Sequence, residues 1–121
     1  MNKILKNKQG TVLMMTLLVL SSILIVTLAA AQIISSGIVM SRTQERSTKA
    51  FFAAEAGAER SLWEVRKNYF ALPPTDQSAI FTGSLSNSTT YSVDYATSSP
   101  NVTFYSAGLY LGTKRTIQLD F

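Results

Sequence analysis

Residues 11–41 contain no charged side chain, and eighteen of the twenty-three positions from Val12 to Ile34 are apolar. Only Thr16, Ser21, Ser22, Thr27 and Gln32 interrupt them. A bilayer-spanning helix needs about 20 mostly apolar residues, and it tolerates hydroxyls that bond back to a carbonyl of the preceding turn. Burying such a rod inside a globular core would fall to the remaining ~80 residues, too few for the task. The pattern predicts a membrane-spanning helix. Lys3, Lys6 and Lys8 precede it with no acidic neighbour, which predicts an N-terminus in the cytoplasm and the rest of the chain outside.

After Ser41 the composition switches to a polar stretch, residues 41–49, and then to an Ala- and Glu-rich run free of Pro that reaches Asn68. Phe51, Ala54, Ala58, Leu62, Val65, Tyr69 and Leu72 step by three or four residues, which predicts one amphipathic helical face. Arg60 and Glu64 stand at i,i+4 spacing, which predicts a helix-surface pair, and Glu55, Glu59 and Arg66 fall off the stripe. Pro73-Pro74 closes the pattern, because proline cannot continue a helix. Only Gly37 is a soft spot between Thr11 and Tyr69. A continuous helix over that span would be about 90 Å long.

From Ser78 onward the chain turns to Ser, Thr, Tyr, Val and Asn. Tyr91, Val93 and Tyr95 alternate with polar residues, as do Val102 and Phe104 in a segment that extends to Leu109 or Leu111. Ile117, Leu119 and Phe121 do the same after a turn at Gly112-Thr113. These are half-buried strands, with Ala79-Ile80-Phe81 a short fourth. So small a sheet needs an apolar face to cover, and the stripe from Phe51 supplies one. The expected fold class is α+β: a long N-terminal helix, half transmembrane and half amphipathic, packed on a small antiparallel sheet. The expected divisions are a basic leader at 1–10, a transmembrane or filament-core helix at 11–41, an amphipathic continuation at 42–72 and a sheet head at 73–121. The Ser/Thr-rich stretches 82–90 and 96–99 read as surface loops. Asn87-Ser88-Thr89 and Asn101-Val102-Thr103 fit the glycosylation pattern, which arises easily by chance. Tyr91, Tyr95, Tyr105 and Tyr110 read as strand packing, with a contact surface as the alternative.

Composition narrows the function. The 121 residues include no Cys and no His, which removes disulfides, thiol nucleophiles, Ser-His triads and the usual metal ligand. Glu45, Glu55, Glu59 and Glu64 read as a solvated helix face rather than a catalytic set. With neither a nucleophile–base pair nor a ligand cluster in view, the expectation is no enzyme, no metal and no cofactor. The net charge is +4, but three of the basic residues lie in the leader. Without them eight basic face seven acidic residues, so the sequence carries no basic stripe for nucleic acid.

Gly10-Thr11 joins the Lys-rich leader to the apolar run. A peptidase at the cytoplasmic membrane face needs a flexible, unhindered residue before the scissile bond, and Gly meets that need. The other reading of Gly10 is a simple break before a signal anchor. Ala29-Ala30-Ala31 could mimic a secretory cleavage site, but the apolar run continues through Ile33 and Ile34.

Together, a leader ending in Gly10, an apolar helix, an amphipathic continuation and a terminal sheet resemble type IV pilin-like proteins. More narrowly, Gln44-Glu45-Arg46 followed by Ala50-Phe51-Phe52-Ala53-Ala54-Glu55-Ala56 resembles the N-terminal region of PilX-type minor pilins. The resemblance spans residues 5–66. It implies cleavage between Gly10 and Thr11 by a prepilin peptidase, methylation of the new amine on Thr11, and packing of helices into a filament core. The packing residues would be Leu13, Leu17, Leu20, Leu24, Leu28 and Ala31. The implied partners are the peptidase, other pilin subunits, the inner-membrane assembly platform and membrane lipid. Two positions depart from the major-pilin pattern: Thr11 stands where Phe is usual, and Met15 where a Glu is usual. Gln32 also occupies the place of a helix-breaking Pro. These departures favour a minor or tip member. The expected function is thus a minor pilin or pseudopilin of a type IV pilus or type II secretion-like filament. The alternative is an uncleaved bitopic adhesin or binding module, its sheet a ligand-binding head on a helical stalk.

Overall fold

The computed structural model describes the backbone of residues 2–98 and 101–121, with side chains from residue 8 to 97 and again from 101. The side chains of Lys3 and Lys6, and residue 99 of the expected loop 96–99, lie outside the described residues. A single helix, α1 (Asn2–Arg66), is followed by four strands: β1 (Gln77–Ser84), β2 (Thr90–Ser98), β3 (Asn101–Tyr110) and β4 (Thr113–Asp120). The chain is an α+β protein and falls into two units, Met1–Ser41 and Arg42–Phe121.

In the second unit the strands form one antiparallel meander in the order β1-β2-β3-β4. Alternation puts Tyr91, Val93 and Tyr95 of β2 and Phe104, Ser106 and Gly108 of β3 on the face that meets α1. Phe81, Val93, Tyr95 and Phe104 form the core, bordered by Val65, Phe70, Ile80, Val102 and Leu119. Phe104 packs tilted on Tyr95 and edge-on against Phe121, with ring centroids 5.4 and 5.6 Å apart. The helix crosses the sheet obliquely. Ser47 accepts a hydrogen bond from Arg115 Nε of β4 at 2.8 Å, and Ala54 O accepts one from Ser106 Oγ of β3 at 2.6 Å. Farther along, Arg60 Nη1 donates to the Thr82 carbonyl of β1 at 3.0 Å and to the Tyr91 hydroxyl of β2 at 2.9 Å.

The helix face beneath the sheet is not the one expected. Ala54 and Ala58 are buried and Leu62 and Val65 half-buried, but Phe51 is 47% exposed and Tyr69 88% exposed. The buried seam consists of Ala50, Ala53, Ala54, Gly57, Ala58 and Ser61. Small residues win because the backbones come close. A Cβ on Gly108 would collide with the Ala50 carbonyl oxygen and the Ala54 nitrogen, and one on Gly57 with the Ser106 hydroxyl. Ser61 Oγ, buried in the seam, returns its proton to Gly57 O at 2.9 Å.

The helix also stops at Arg66, short of the expected 72. Tyr69 adopts a left-handed φ of 52°, and Phe70 N–H folds back to the Glu64 carbonyl at 3.1 Å. Phe70 then packs edge-on against Phe81, centroids 5.1 Å apart. Burying that ring on the core competes with further helix and ends it before Pro73. Leu72 is left 41% exposed, off any helical stripe.

The short strand at Ala79–Phe81 is part of a longer β1 with a register shift between Gln77 and Phe81. Ala79 takes a φ of 53° there and donates its N–H to Asp94 Oδ1 at 2.8 Å. Residues 82–84 and 96–98 are strand rather than loop, because Thr82, Gly83 and Ser84 pair with β2 and Ala96, Thr97 and Ser98 with β3. The turn lies at Leu111-Gly112, both with positive φ. Of the expected glycosylation triplets, Asn87 uses its Oδ1 to accept from the Thr89 N–H and hydroxyl, and Thr103 is buried against Asp120.

Replacing Gly108 by Val is expected to lower the stability of the head by about 2–3 kcal/mol, since the new atoms meet backbone that cannot rotate away. Ser106→Ala should cost about 1 kcal/mol, the worth of one buried hydrogen bond. Chemical denaturation of the full chain in detergent, followed by the near-ultraviolet signal of its tyrosines, checks both. A smaller loss for Gly108→Val than for Ser106→Ala would contradict the close approach.

The helix also contributes a pH dependence. Lys49 Nζ bonds Glu45 Oε1 at 2.6 Å and lies 4.8 Å from the Tyr110 ring centroid. The hydrogen bond from Lys49, then its charge, holds the Glu45 carboxyl below its ordinary 4.5, while the bonds to Glu45 and Tyr110 raise Lys49 above 10.5. A carboxylate with a depressed folded pKa stabilises above its unfolded value and loses that contribution as pH falls through the folded one. A lysine with a raised pKa stabilises below its unfolded value and loses the contribution as pH climbs through the folded one. Lys49→Met should therefore lower the melting temperature slightly near pH 7, the effect being small because solvent screens the pair, and that difference should close as the pH falls below about 4.5.

Candidate functional site

The first unit is an uncovered apolar helix. Leu13, Leu17, Leu20, Leu24, Leu28 and Ala31 share one face by their three- and four-residue spacing, and all are exposed. So are Val12, Ile23, Ile25, Val26, Ile33 and Ile34 on the remaining faces. The expected packing residues are thus brought into one stripe, but nothing in the chain sets that stripe apart from its neighbours. This is one helix long and apolar enough to cross a membrane.

Five of its hydroxyl side chains are turned inward on their own backbone. Thr16 Oγ1 donates to Leu13 O, Ser21 Oγ to Leu18 O, Ser22 Oγ to Val19 O, Thr27 Oγ1 to Leu24 O and Ser36 Oγ to Ile33 O, all at 2.8–2.9 Å. Each hydroxyl is satisfied without a water or a partner. In a medium that offers no hydrogen bonds, that is the condition for a polar group to reside at low cost.

Gly10 and Thr11 lie inside α1 and are exposed, and among the described residues nothing beyond the helix's own adjacent backbone comes within 4 Å of the position a Gly10 Cβ would take. The glycine does not interrupt the helix. It weakens it locally, by about 1 kcal/mol relative to Ala. The acidic residues are not gathered. Glu45 is paired with Lys49, and Glu64 accepts from Asn68 Nδ2 at 2.8 Å. Among the described residues no group of three or more carboxylates is placed to hold a metal.

The pattern of apolar residues did not disclose that the outward face of the 42–66 helix carries aromatic side chains. Phe51, Phe52 and Trp63 are all about half exposed, with the two Phe rings in edge contact at 6.2 Å. The signal that could have found this is the Ala/Gly/Ser spacing at 50, 53, 54, 57, 58 and 61, which marks the buried seam by size rather than by hydrophobicity.

Two arginines at the middle of the apolar run, Leu20→Arg with Leu24→Arg, should each add about 2.5–3.5 kcal/mol to insertion. The double variant is expected to leave the carbonate-resistant membrane fraction that retains the unaltered chain. Equal retention of both would mean that residues 11–41 do not anchor the protein.

No family model matches the chain, and no curated protein or solved structure shows a significant similarity to it. Its own residues carry the functional reading.

Proposed function

We propose that this chain is a structural, non-enzymatic filament subunit: a minor pilin or pseudopilin of a type IV pilus or a type II secretion-like filament. The observation that carries the reading is the exposed apolar surface from Val12 to Met40 on the same helix whose Arg42–Arg66 part is covered by a sheet. Such a surface calls for lipid first and other helices afterwards.

In this reading the leader lysines hold the N-terminus in the cytoplasm while α1 spans the membrane. Prepilin peptidase cuts between Gly10 and Thr11, where no side chain obstructs the bond. The cut removes Lys3, Lys6 and Lys8 and leaves an amine on Thr11 that can be methylated. Lipid contacts along Leu13, Leu17, Leu20, Leu24, Leu28 and Ala31 are then exchanged for contacts with other pilin helices at the assembly platform. Between lipid and a protein interior the transfer of apolar surface is nearly neutral, so packing fit decides the exchange. The small residues Ala29–Ala31 favour close approach. Met15 brings no carboxylate into this core, so no ion pair has to be desolvated there.

Intact mass of the chain from its native cells tests the proposal. The expected product starts at Thr11, with or without one added methyl. Gly10→Leu should reduce processing at least about tenfold, the effect of crowding a residue that must open out of a helix, and should leave a mass that includes residues 1–10. A native chain that still carries Met1–Gly10 would make the protein an uncleaved membrane-anchored binding module instead.

A further inference from the structure

The fold gathers cations that the sequence keeps apart. Arg42, Arg46 and Lys49 lie at the start of the Arg42–Phe121 unit, and Lys114 and Arg115 at the start of β4. Two contacts join these segments. Arg115 Nε donates to Ser47 Oγ at 2.8 Å, and Lys49 Nζ donates to the Tyr110 hydroxyl at 3.4 Å. Five cations thus share one end of the unit with a single acid, Glu45, whose carboxylate is turned to Lys49 at 2.6 Å. The remainder of the unit, with six acidic and three basic residues, carries the opposite sign.

The β3–β4 turn belongs to the same end. Leu111 and Gly112 form its tip, with φ of 45° and 81°. Left-handed φ at both central residues favours Asn-Gly or Asp-Gly, and a leucine in that conformation is strained. Leu111 is also 66% exposed. The head gains little from an apolar side chain held in this way, so its role points outside the chain. Beside it stand Tyr110, whose ring centroid is 4.8 Å from Lys49 Nζ, and the exposed Lys114.

An apolar tip among lysines and arginines, next to an aromatic hydroxyl, fits the interface of a bilayer with anionic headgroups. Leucine suits the acyl boundary, the cations suit phosphate, and tyrosine is favoured at headgroup level. A nucleic-acid backbone would satisfy the same cations but offers nothing apolar to the leucine. Chain connection favours lipid as well. Arg42 directly follows the uncharged run 11–41, and Ser47 stands only about 9 Å of helix beyond Ser41. Anchoring through that run would keep these cations at high effective concentration near headgroups, where weak contacts suffice.

We propose that the β3–β4 turn docks on anionic phospholipid headgroups through Arg42, Arg46, Lys114 and Arg115, with Leu111 entering the acyl boundary. The proposal rests on the membrane-anchor reading and is independent of filament assembly.

The chain has no Cys, so one introduced cysteine carries a reporter without background. The full chain with Leu111→Cys bears an environment-sensitive nitrobenzoxadiazole dye, whose apolar ring stands in for the leucine. It is reconstituted into nanodiscs of phosphatidylcholine, alone or mixed with phosphatidylglycerol. The expected result is a blue-shifted, brighter emission in the mixed discs only, reversed by high salt. The same dye on Ser86→Cys, in the turn between β1 and β2, should not shift. Adding Arg46→Gln and Lys114→Gln, both at exposed positions, should lower the docked-to-free ratio roughly twenty-fold, about fivefold for each cation. Co-elution with the phosphatidylcholine discs reports the anchor separately. A co-eluting chain with no shift, with equal shifts in both lipid mixtures, or with equal shifts at residues 111 and 86 would overturn the docking and leave the anchor intact. Failure to co-elute would remove the anchor and the docking with it. A shift produced by duplex DNA in phosphatidylcholine discs, and not by phosphatidylglycerol, would overturn the proposal in favour of a nucleic-acid contact.

Discussion

The head is organised by the closeness of two backbones. Where α1 passes over β3, the Ala50 carbonyl and Ala54 amide approach Gly108 so tightly that no side chain fits between them. Everything nearby follows from that contact. The helix must present Ala50, Ala53, Ala54, Gly57, Ala58 and Ser61 to the sheet, so its bulky residues are turned outward. Apolar bulk is then supplied from the strands, by Phe81, Val93, Tyr95 and Phe104. The helix itself adds only Val65 near its end, and Phe70 beyond it. Ser106 occupies the middle of the seam, where its hydroxyl gives its proton to Ala54 O rather than remaining an unsatisfied buried group.

The Met1–Ser41 unit solves a different problem with the same helix. Packing says little of its environment, since every described side chain from Lys8 to Ser41 is exposed. Hydrogen bonds say more. Five hydroxyls return to carbonyls three residues back, and helical geometry satisfies the backbone. A segment whose hydroxyls at Thr16, Ser21, Ser22, Thr27 and Ser36 are bonded to its own backbone, and whose exterior is mostly Leu, Ile, Val and Met, meets most of what a medium without hydrogen bonds requires. In water each exposed Leu or Ile would forgo about 1.5–3 kcal/mol of burial.

These features differ in how legible they are from sequence. The apolar run, the four strands and their antiparallel order follow from composition and alternation, because hydrophobic periodicity is a direct consequence of burial on one face. The face of the 42–66 helix was misjudged for an equally physical cause. A hydrophobic stripe assumes that the largest apolar residues seek the core, whereas a close backbone contact selects for size. Phe51 and Tyr69 fit the stripe and are exposed; Gly57 and Ser61 do not fit it and are buried. The helix end at Arg66 was hidden because it depends on Phe70 reaching Phe81, a contact eleven residues away in sequence. Of the candidate site, the Gly10–Thr11 junction could be named from sequence, and the structure places it inside α1 without a break at the glycine. The leucine stripe from Leu13 could be named too, but large apolar side chains are exposed on the other faces as well, so the fold of the chain does not single that stripe out.

A small open sheet has two edges that could pair with other strands. Both edges here are obstructed. On β1 the register breaks between Gln77 and Phe81, with Ala79 in a left-handed conformation and its N–H committed to Asp94. On β4 consecutive cations stand at Lys114 and Arg115, the latter turned to Ser47 of the helix. The outer face of the sheet is equally unreceptive to apolar contact in its central row, where Thr82, Ser92, Ala107 and Thr116 lie side by side across all four strands. The large exposed apolar side chains are concentrated on α1, from Val12 to Met40 and at Phe51, Phe52 and Trp63, so the surface that the fold leaves uncovered lies on the helix far more than on the sheet.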